Sequence, residues 1–161
     1  VGVNIINLFH TQMNRMPELN LPPIRLRARR DAAGRTLIFD ELRRQWVVLT
    51  PEEWVRRHVA AYMVDRCGFP PQALVEEYPV DINGTAQRAD IVAFGSDGRP
   101  LVLVECKEHS TRIDNTVFSQ AVRYNAIVGC RHIVMTNGIE THCWRQESGL
   151  YEPERTFPRF E

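Results

Sequence analysis

The chain has 161 residues, 43% of them apolar, enough for one domain of ordinary size with a real core. Twenty basic residues balance twenty acidic ones, which excludes the overall basic excess of many nucleic-acid binders, so any DNA contact must come from a local patch. Cys67, Cys106, Cys130 and Cys143 form no CxxC pair and follow no secretory leader, which argues against zinc or a disulfide framework and for a cytoplasmic protein; no apolar run approaches the roughly 18 residues that cross a bilayer.

Met16-Pro17-Glu18-Leu19 reads like a natural start. Residues 1–15 are therefore set aside as an expression remnant or upstream extension, although Ile5, Ile6, Leu8 and Phe9 suit a helix, and 16–161 is read as one domain. From Leu21 to Leu49 a small β element is expected: Ile24 to Arg27 alternates, Asp31 to Gly34 is a turn, and Thr36 to Phe39 follows. Arg25, Arg27, Arg29 and Arg30 cluster there, and a solvated strand face is a commoner reason for such clustering than phosphate binding. A helix is predicted from Pro51 to about Cys67, with Thr50 as N-cap, Pro51 in the first turn and Gly68 as the stop. Val55, His58, Val59 and Tyr62 mark one face.

A β meander comes next, and its turns fix its register. Asn83-Gly84 separates Val75–Ile82 from Thr85–Phe94, a strong hairpin signal because both central residues need positive φ. Asp97-Gly98 separates the second strand from Pro100–Lys107. A tight turn at Asn83-Gly84 sets Glu77 opposite Asp90, and one at Asp97-Gly98 sets Asp90 opposite Glu105. Three carboxylates would then share a row, an arrangement that mutual repulsion disfavours unless a cation accompanies it. Alternation sends Glu105 and Lys107 to one face and Cys106 to the other. Hard oxygen ligands suit Mg²⁺, or Mn²⁺ as a substitute, which would activate a water and neutralise phosphoryl oxygens, while Lys107 orients the water and stabilises the transition state.

Alone, an Asp separated from ExK by fourteen intervening residues also describes a buried strand whose end runs into solvent. One feature favours chemistry: the chain has nineteen arginines and one lysine, and that lysine is Lys107. A sequence that otherwise chooses guanidinium keeps the compact ammonium here.

Five segments carry a resemblance: LTPEEWVRRH at 49–58, RADIVAF at 88–94, LVLVECK at 101–107, QAVRYN at 120–125 and MTNG at 135–138. Together they resemble the PD-(D/E)xK nuclease superfamily, and more closely the N-terminal nuclease domain of type I restriction enzyme R subunits, over about Leu21 to Trp144. The resemblance implies Asp90 and Glu105 as metal ligands and Lys107 as catalytic residue, although Ala89 stands before Asp90 where the motif has Pro. An acidic residue of the first core helix often joins such a site, and Glu53 matches it; Thr50 and Glu53 also form a capping box, which explains Glu53 equally well. Glu77 competes as the third carboxylate by register, with Glu76 as a solvent-facing neighbour. Gln120 and Tyr124, four apart on a helix starting near Asp114, resemble the QxxxY pair that contacts DNA in RecB-like nucleases, and Arg88 is a further candidate DNA contact. Arg131–Thr136 and Thr141–Trp144, around Asn137-Gly138, read as two more strands, and the histidines show no ligand spacing.

The expected fold is α/β: a restriction-endonuclease-like core with a mixed sheet flanked by helices in the order αβββαβ, after a small N-terminal β element. The expected function is Mg²⁺-dependent DNA cleavage; the alternative is a catalytically silent nucleic-acid-binding or protein-interaction module on the same scaffold. This sequence contains no GxxxxGK[ST] phosphate loop, so the expected partners are DNA and a separately encoded helicase motor or restriction–modification subunit, with a homodimer also compatible.

Overall fold

The computed structural model describes residues 15–161, so the helix suggested for Ile5 to Phe9 lies outside the described residues. The described residues form two sheets. The first is a three-stranded antiparallel sheet of β1 (Ala28–Arg30), β2 (Thr36–Asp40) and β3 (Gln45–Val48). Its first strand is shorter and later than the alternation from Ile24 suggested, and the Asp31 turn closes it, with the Asp31 N–H donating to the Arg35 carbonyl at 3.1 Å. The six-stranded sheet holds β4 (Leu74–Ile82), β5 (Thr85–Phe94), β6 (Pro100–Cys106), β7 (His132–Thr136), β8 (Thr141–Glu147) and β9 (Leu150–Glu154) in that spatial order. It is mixed: β6 and β7 run parallel and the other neighbours antiparallel. Helix α1 (Pro51–Asp65) precedes β4, and α2 (Asn115–Val128) is the crossover that a parallel β6–β7 pair requires. This is the expected αβββαβ order, followed by β8, also expected as a strand, and by β9, which is not.

Each helix is set by local chemistry. The Thr50 side chain accepts the Glu53 N–H at 3.0 Å, and Pro51 fills a position whose N–H has no helical partner. The reciprocal half of the capping box is not made, because the Glu53 carboxylate turns to arginines instead. Asp114 caps α2 by accepting from Thr116 and Val117, and Gly129 ends it in the left-handed region. Val55, Val59 and Met63, each at most 1% exposed, pack α1 against the sheet beside Ile91, Val102 and Val104. Val117, Ala121 and Tyr124 pack α2 on the opposite face with Val92, Leu103 and Ile133. Alternation along β6 thus feeds two cores, one per helix.

The hairpin registers follow the turns. Val80 pairs with Gln87 and Glu76 with Ile91, as a tight Asn83-Gly84 turn requires, with φ of 53° and 80° at the two turn residues. Ile91 pairs with Val104, the register that places Asp90 beside Glu105, and a shift at Ala93/Phe94 absorbs the longer second turn. At Glu77 the ladder breaks, because its φ is 49° and it pairs with no residue of β5. The strands change face here: Leu74 lies in the α1 core, whereas Tyr78, Val80 and Ile82 pack on the α2 side. This reverses the expectation for Glu76, which is 8% exposed and meets arginines from the α1 side, while the Glu77 side chain is 36% exposed.

Among the described residues no helix is long and apolar enough to cross a membrane. Gly138, at φ +81°, holds the tight connection between β7 and β8, and a Cβ there would lie 2.8 Å from the Leu19 side chain. Gly84 has the same backbone demand (φ +80°) but open space around it. Gly138→Ala should therefore cost about 2–4 kcal/mol in urea unfolding, against roughly 1–2 kcal/mol for Gly84→Ala. Equal losses would show that Leu19 adapts freely.

Candidate active site

Asp90 stands where β4 and β5 change face and reaches groups on both sides. Its Oδ2 accepts the Cys106 backbone N–H at 2.7 Å, and its Oδ1 accepts from Arg56 Nη2 on α1 at 2.6 Å. Glu105, 2% exposed, lies beside it on β6, and Glu105 Oε1 is buried with no hydrogen-bond partner. Burial first, and the Asp90 charge second, push the Glu105 carboxyl well above the ordinary carboxyl range; Lys107 opposes both, and a hydrogen bond between the Glu105 and Asp90 carboxyls adds to the rise. A carboxyl so placed keeps its proton unless a cation arrives. The structure thus brings Asp90, Glu105 and Lys107 together, with an all-oxygen donor set suited to a hard divalent ion.

The acidic neighbours are organised differently from the expected row. Glu53 contacts three guanidiniums: Arg43 at 2.8 Å, Arg56 at 2.8 Å and Arg57 at 3.0 Å. Asp40, Glu53 and Glu76 are all buried and present oxygens within 4.8 Å of one another. That triad already holds its cations, since Arg57 pairs with Asp40 at 2.6 Å and also with Glu76, and Arg43 pairs with Asp40. Glu77 is shared by Arg88 at 3.2 Å, Arg43 at 3.3 Å and Arg56 at 3.6 Å. Neither Glu53 nor Glu77 is hydrogen-bonded to Asp90; Arg56 stands between them.

Arg56 is the residue that sequence reasoning missed. Its guanidinium touches Glu52, Glu53, Glu77 and Asp90, and although burial opposes its charge, Asp90 and Glu53 more than offset this and hold it above its ordinary value. For Arg57 burial prevails over Asp40 and Glu53, and its pKa is lowered. The signal available in the sequence was spacing: Glu53, Arg56 and Arg57 fall at i, i+3 and i+4 on α1.

On the α2 side, Lys107 Nζ donates to Gln120 Oε1 at 3.1 Å, Gln120 Nε2 donates to the Tyr124 hydroxyl at 3.1 Å, and that hydroxyl donates to Gln87 Oε1 at 3.3 Å. The i, i+4 pair on α2 thus reaches the lysine directly, and Gln87 extends the chain unforeseen. Arg88 is largely exposed and bound to Glu77. The MTNG segment braces the backbone around the lysine: the Lys107 N–H donates to the Thr136 carbonyl at 2.8 Å, and Asn137 Nδ2 donates to the Thr111 carbonyl at 2.9 Å.

A fragment assigned as the HsdR subunit of a type I restriction enzyme from Vibrio vulnificus YJ016 superimposes with a TM-score of 0.53 at 22% identity, covering 69% of this chain and 24% of that one. The chain therefore spans about a quarter of that relative's length, and at this identity the likeness concerns the fold. No curated protein matches the sequence. Residues 51–158, more than half of the chain, match the family described as the type I restriction enzyme R protein N terminus, and the chain belongs to that family.

Proposed function

We propose that this domain is a Mg²⁺-dependent DNA endonuclease of the PD-(D/E)xK type, hydrolysing phosphodiester bonds at Asp90, Glu105 and Lys107. The observation that carries the reading is Glu105 Oε1, buried and unpartnered beside Asp90. A buried acceptor without a donor is costly in a finished structure, and a cation bound by both carboxylates would answer it. When bound, the metal would supply Lewis acidity to the phosphoryl group and the attacking water.

The protein residues would do the rest. The Cys106 N–H fixes Asp90, so its orientation does not depend on the ion. Gln120 occupies one N–H of the Lys107 ammonium and leaves the others for a scissile phosphate oxygen and the water. Tyr124 fixes Gln120, which makes the pair a positioning device for the lysine as well as a candidate DNA contact. Glu53 and Glu77 would act through Arg56 and Arg43, as counter-charges that keep those guanidiniums in place. The substrate would be DNA, and the motor or restriction–modification partner of such a nuclease would come from other protein segments.

Lys107→Ala should lower metal-dependent plasmid cleavage by about 10²–10³ with DNA affinity largely kept, and Lys107→Arg should rescue poorly, since guanidinium is bulky and does not release its proton. Wild-type cutting by Lys107→Ala, or no cutting by the wild type, would make the silent binding module the better account. Metal binding checks the carboxylates separately. In a Mn²⁺ titration followed by electron paramagnetic resonance, Asp90→Asn should abolish tight binding. Arg56→Gln, which removes a fixed positive charge 2.6 Å from Asp90, should strengthen it about tenfold or more. Unaltered binding in both variants would place the ion elsewhere.

The third outcome follows from Glu105 itself. Its folded-state pKa is raised, so above the ordinary value of 4.5 the native state holds a proton that the unfolded state releases. Stability of the metal-free protein should therefore fall as pH rises from about 4.5 through neutrality. Urea midpoints at pH 5 and pH 8 should diverge in the wild type and less so in Glu105→Gln; the same divergence in both would reject a raised Glu105 pKa.

A further inference from the structure

The three-stranded sheet lies outside residues 51–158, which match the family. Residues 24–48 contain seven arginines against Asp31, Asp40 and Glu41, in a chain whose total charge balances. The remainder has thirteen basic and seventeen acidic residues. A domain built around carboxylates would repel a polyanion, and the compensating charge is concentrated in this one segment, in and around the small sheet.

Its two faces differ. Thr36, Ile38 and Asp40 are buried on one, and Asp40 joins Arg57 beneath it. The other presents Arg27 and Arg29 over aromatic rings: the Arg27 guanidinium carbon lies 3.9 Å from the Phe39 ring centroid and that of Arg29 4.3 Å from Trp46. Phe39 and Trp46 pair across β2 and β3 and meet edge to face at 5.4 Å. The rings are thus covered by arginines, so they do not serve as stacking platforms for bases. They hold two planar, weakly hydrated, multi-donor cations in place, which lowers the entropy cost of gripping an anion. The one competing acid, Glu41, pairs with Arg27 at 3.1 Å with both side chains mostly exposed, a weak, solvent-screened pairing that a phosphate can displace. The β2–β3 turn also sends Arg43 to Glu53 and Glu77, which ties this sheet to the carboxylate cluster.

We propose that the Arg27–Phe39–Trp46–Arg29 face binds the phosphodiester backbone of duplex DNA, independently of sequence. It is an electrostatic anchor on the sheet that Arg43 joins to the buried carboxylates. The inference deepens the nuclease reading and rests on it for the choice of DNA.

The test is fluorescence anisotropy with a duplex of about 30 base pairs in EDTA, at salt from roughly 50 to 200 mM, where no cleavage occurs. Arg27→Gln/Arg29→Gln should weaken binding about tenfold or more and flatten the log K against log salt slope by about 1–2, at roughly 0.9 for each phosphate no longer neutralised. Arg27→Lys/Arg29→Lys should retain most of the slope. Both positions are exposed, and an unchanged melting temperature confirms folding. Unchanged affinity and slope in the glutamine variant overturns the proposal, as does tighter binding of RNA than of duplex DNA, or no duplex binding by the wild type. Plasmid cutting with Mn²⁺ is scored separately: a wild type that binds duplex through this face but never cuts defeats the nuclease reading alone, and one that cuts while the glutamine variant binds normally defeats the anchor alone.

Discussion

Placing carboxylates out of water is the constraint on which the rest of this structure depends. Asp40, Glu53, Glu76, Asp90 and Glu105 are all buried around one region, and each ion removed from water costs several kcal/mol even after relaxation. Arg43, Arg56 and Arg57 answer four of them. A guanidinium stays charged and offers several donors in a plane, so three side chains can serve many carboxylate oxygens; a lysine would offer a point charge. Glu105 receives no guanidinium, and the hydrogen bond of its neighbour Lys107 goes to Gln120. The protein therefore gives its structural acids guanidinium partners and leaves Glu105 without one.

The division follows from α1 and β6. Helical spacing puts Glu53, Arg56 and Arg57 on the side of α1 that meets β4 and the small sheet, while Val55, Val59 and Met63 enter the core. Alternation along β6 buries Val102, Val104 and Cys106 toward α1 and turns Glu105 and Lys107 toward α2. Asp90 can serve both sides only because β4 and β5 change face at its row. The left-handed Glu77 produces that change, and a non-glycine residue there carries strain of the order of 1 kcal/mol. Buried ion networks contribute little net stability against well-packed apolar residues, but they fix geometry. Here the geometry fixed is that of Asp90.

Much of this was readable in the residues. Turn chemistry at Asn83-Gly84 and Asp97-Gly98 determined which strand positions meet, and both registers hold at the pairs flanking Asp90, although the ladder breaks at Glu77, which does not pair with Asp90 as the first turn suggested. The caps at Thr50 and Asp114 placed the helices, and the solitary lysine, singled out by composition, stands close enough to Glu105 to oppose its raised pKa. What was not readable has a common cause: it depends on contacts between distant elements. A sequence records that Glu76 and Glu77 alternate, not that a positive φ will bury the first and half expose the second. It records nineteen arginines, not which three enter a low-dielectric cluster. Gln87 joins the lysine chain only because Tyr124 reaches it across 37 positions. The Leu150–Glu154 strand, with Leu150 largely exposed, has too little apolar alternation to signal a sheet edge.

The parallel β6–β7 pair has a consequence in time. Every antiparallel neighbour in the large sheet is joined to the next by a short turn, whereas Cys106 meets Thr136 only after α2 has crossed over. Closing that loop costs chain entropy before any pairing repays it, so this step is expected among the slower ones of folding. The Lys107 N–H is the last rung of that pair, donating to Thr136, and its amine is held by the crossover helix itself. A nascent chain can form the hairpins that bring Asp90 beside Glu105 well before residue 136 is available, but its lysine then has neither brace. The placement of Lys107 is thus coupled to completion of the sheet, and partly folded chains lack both contacts that hold it.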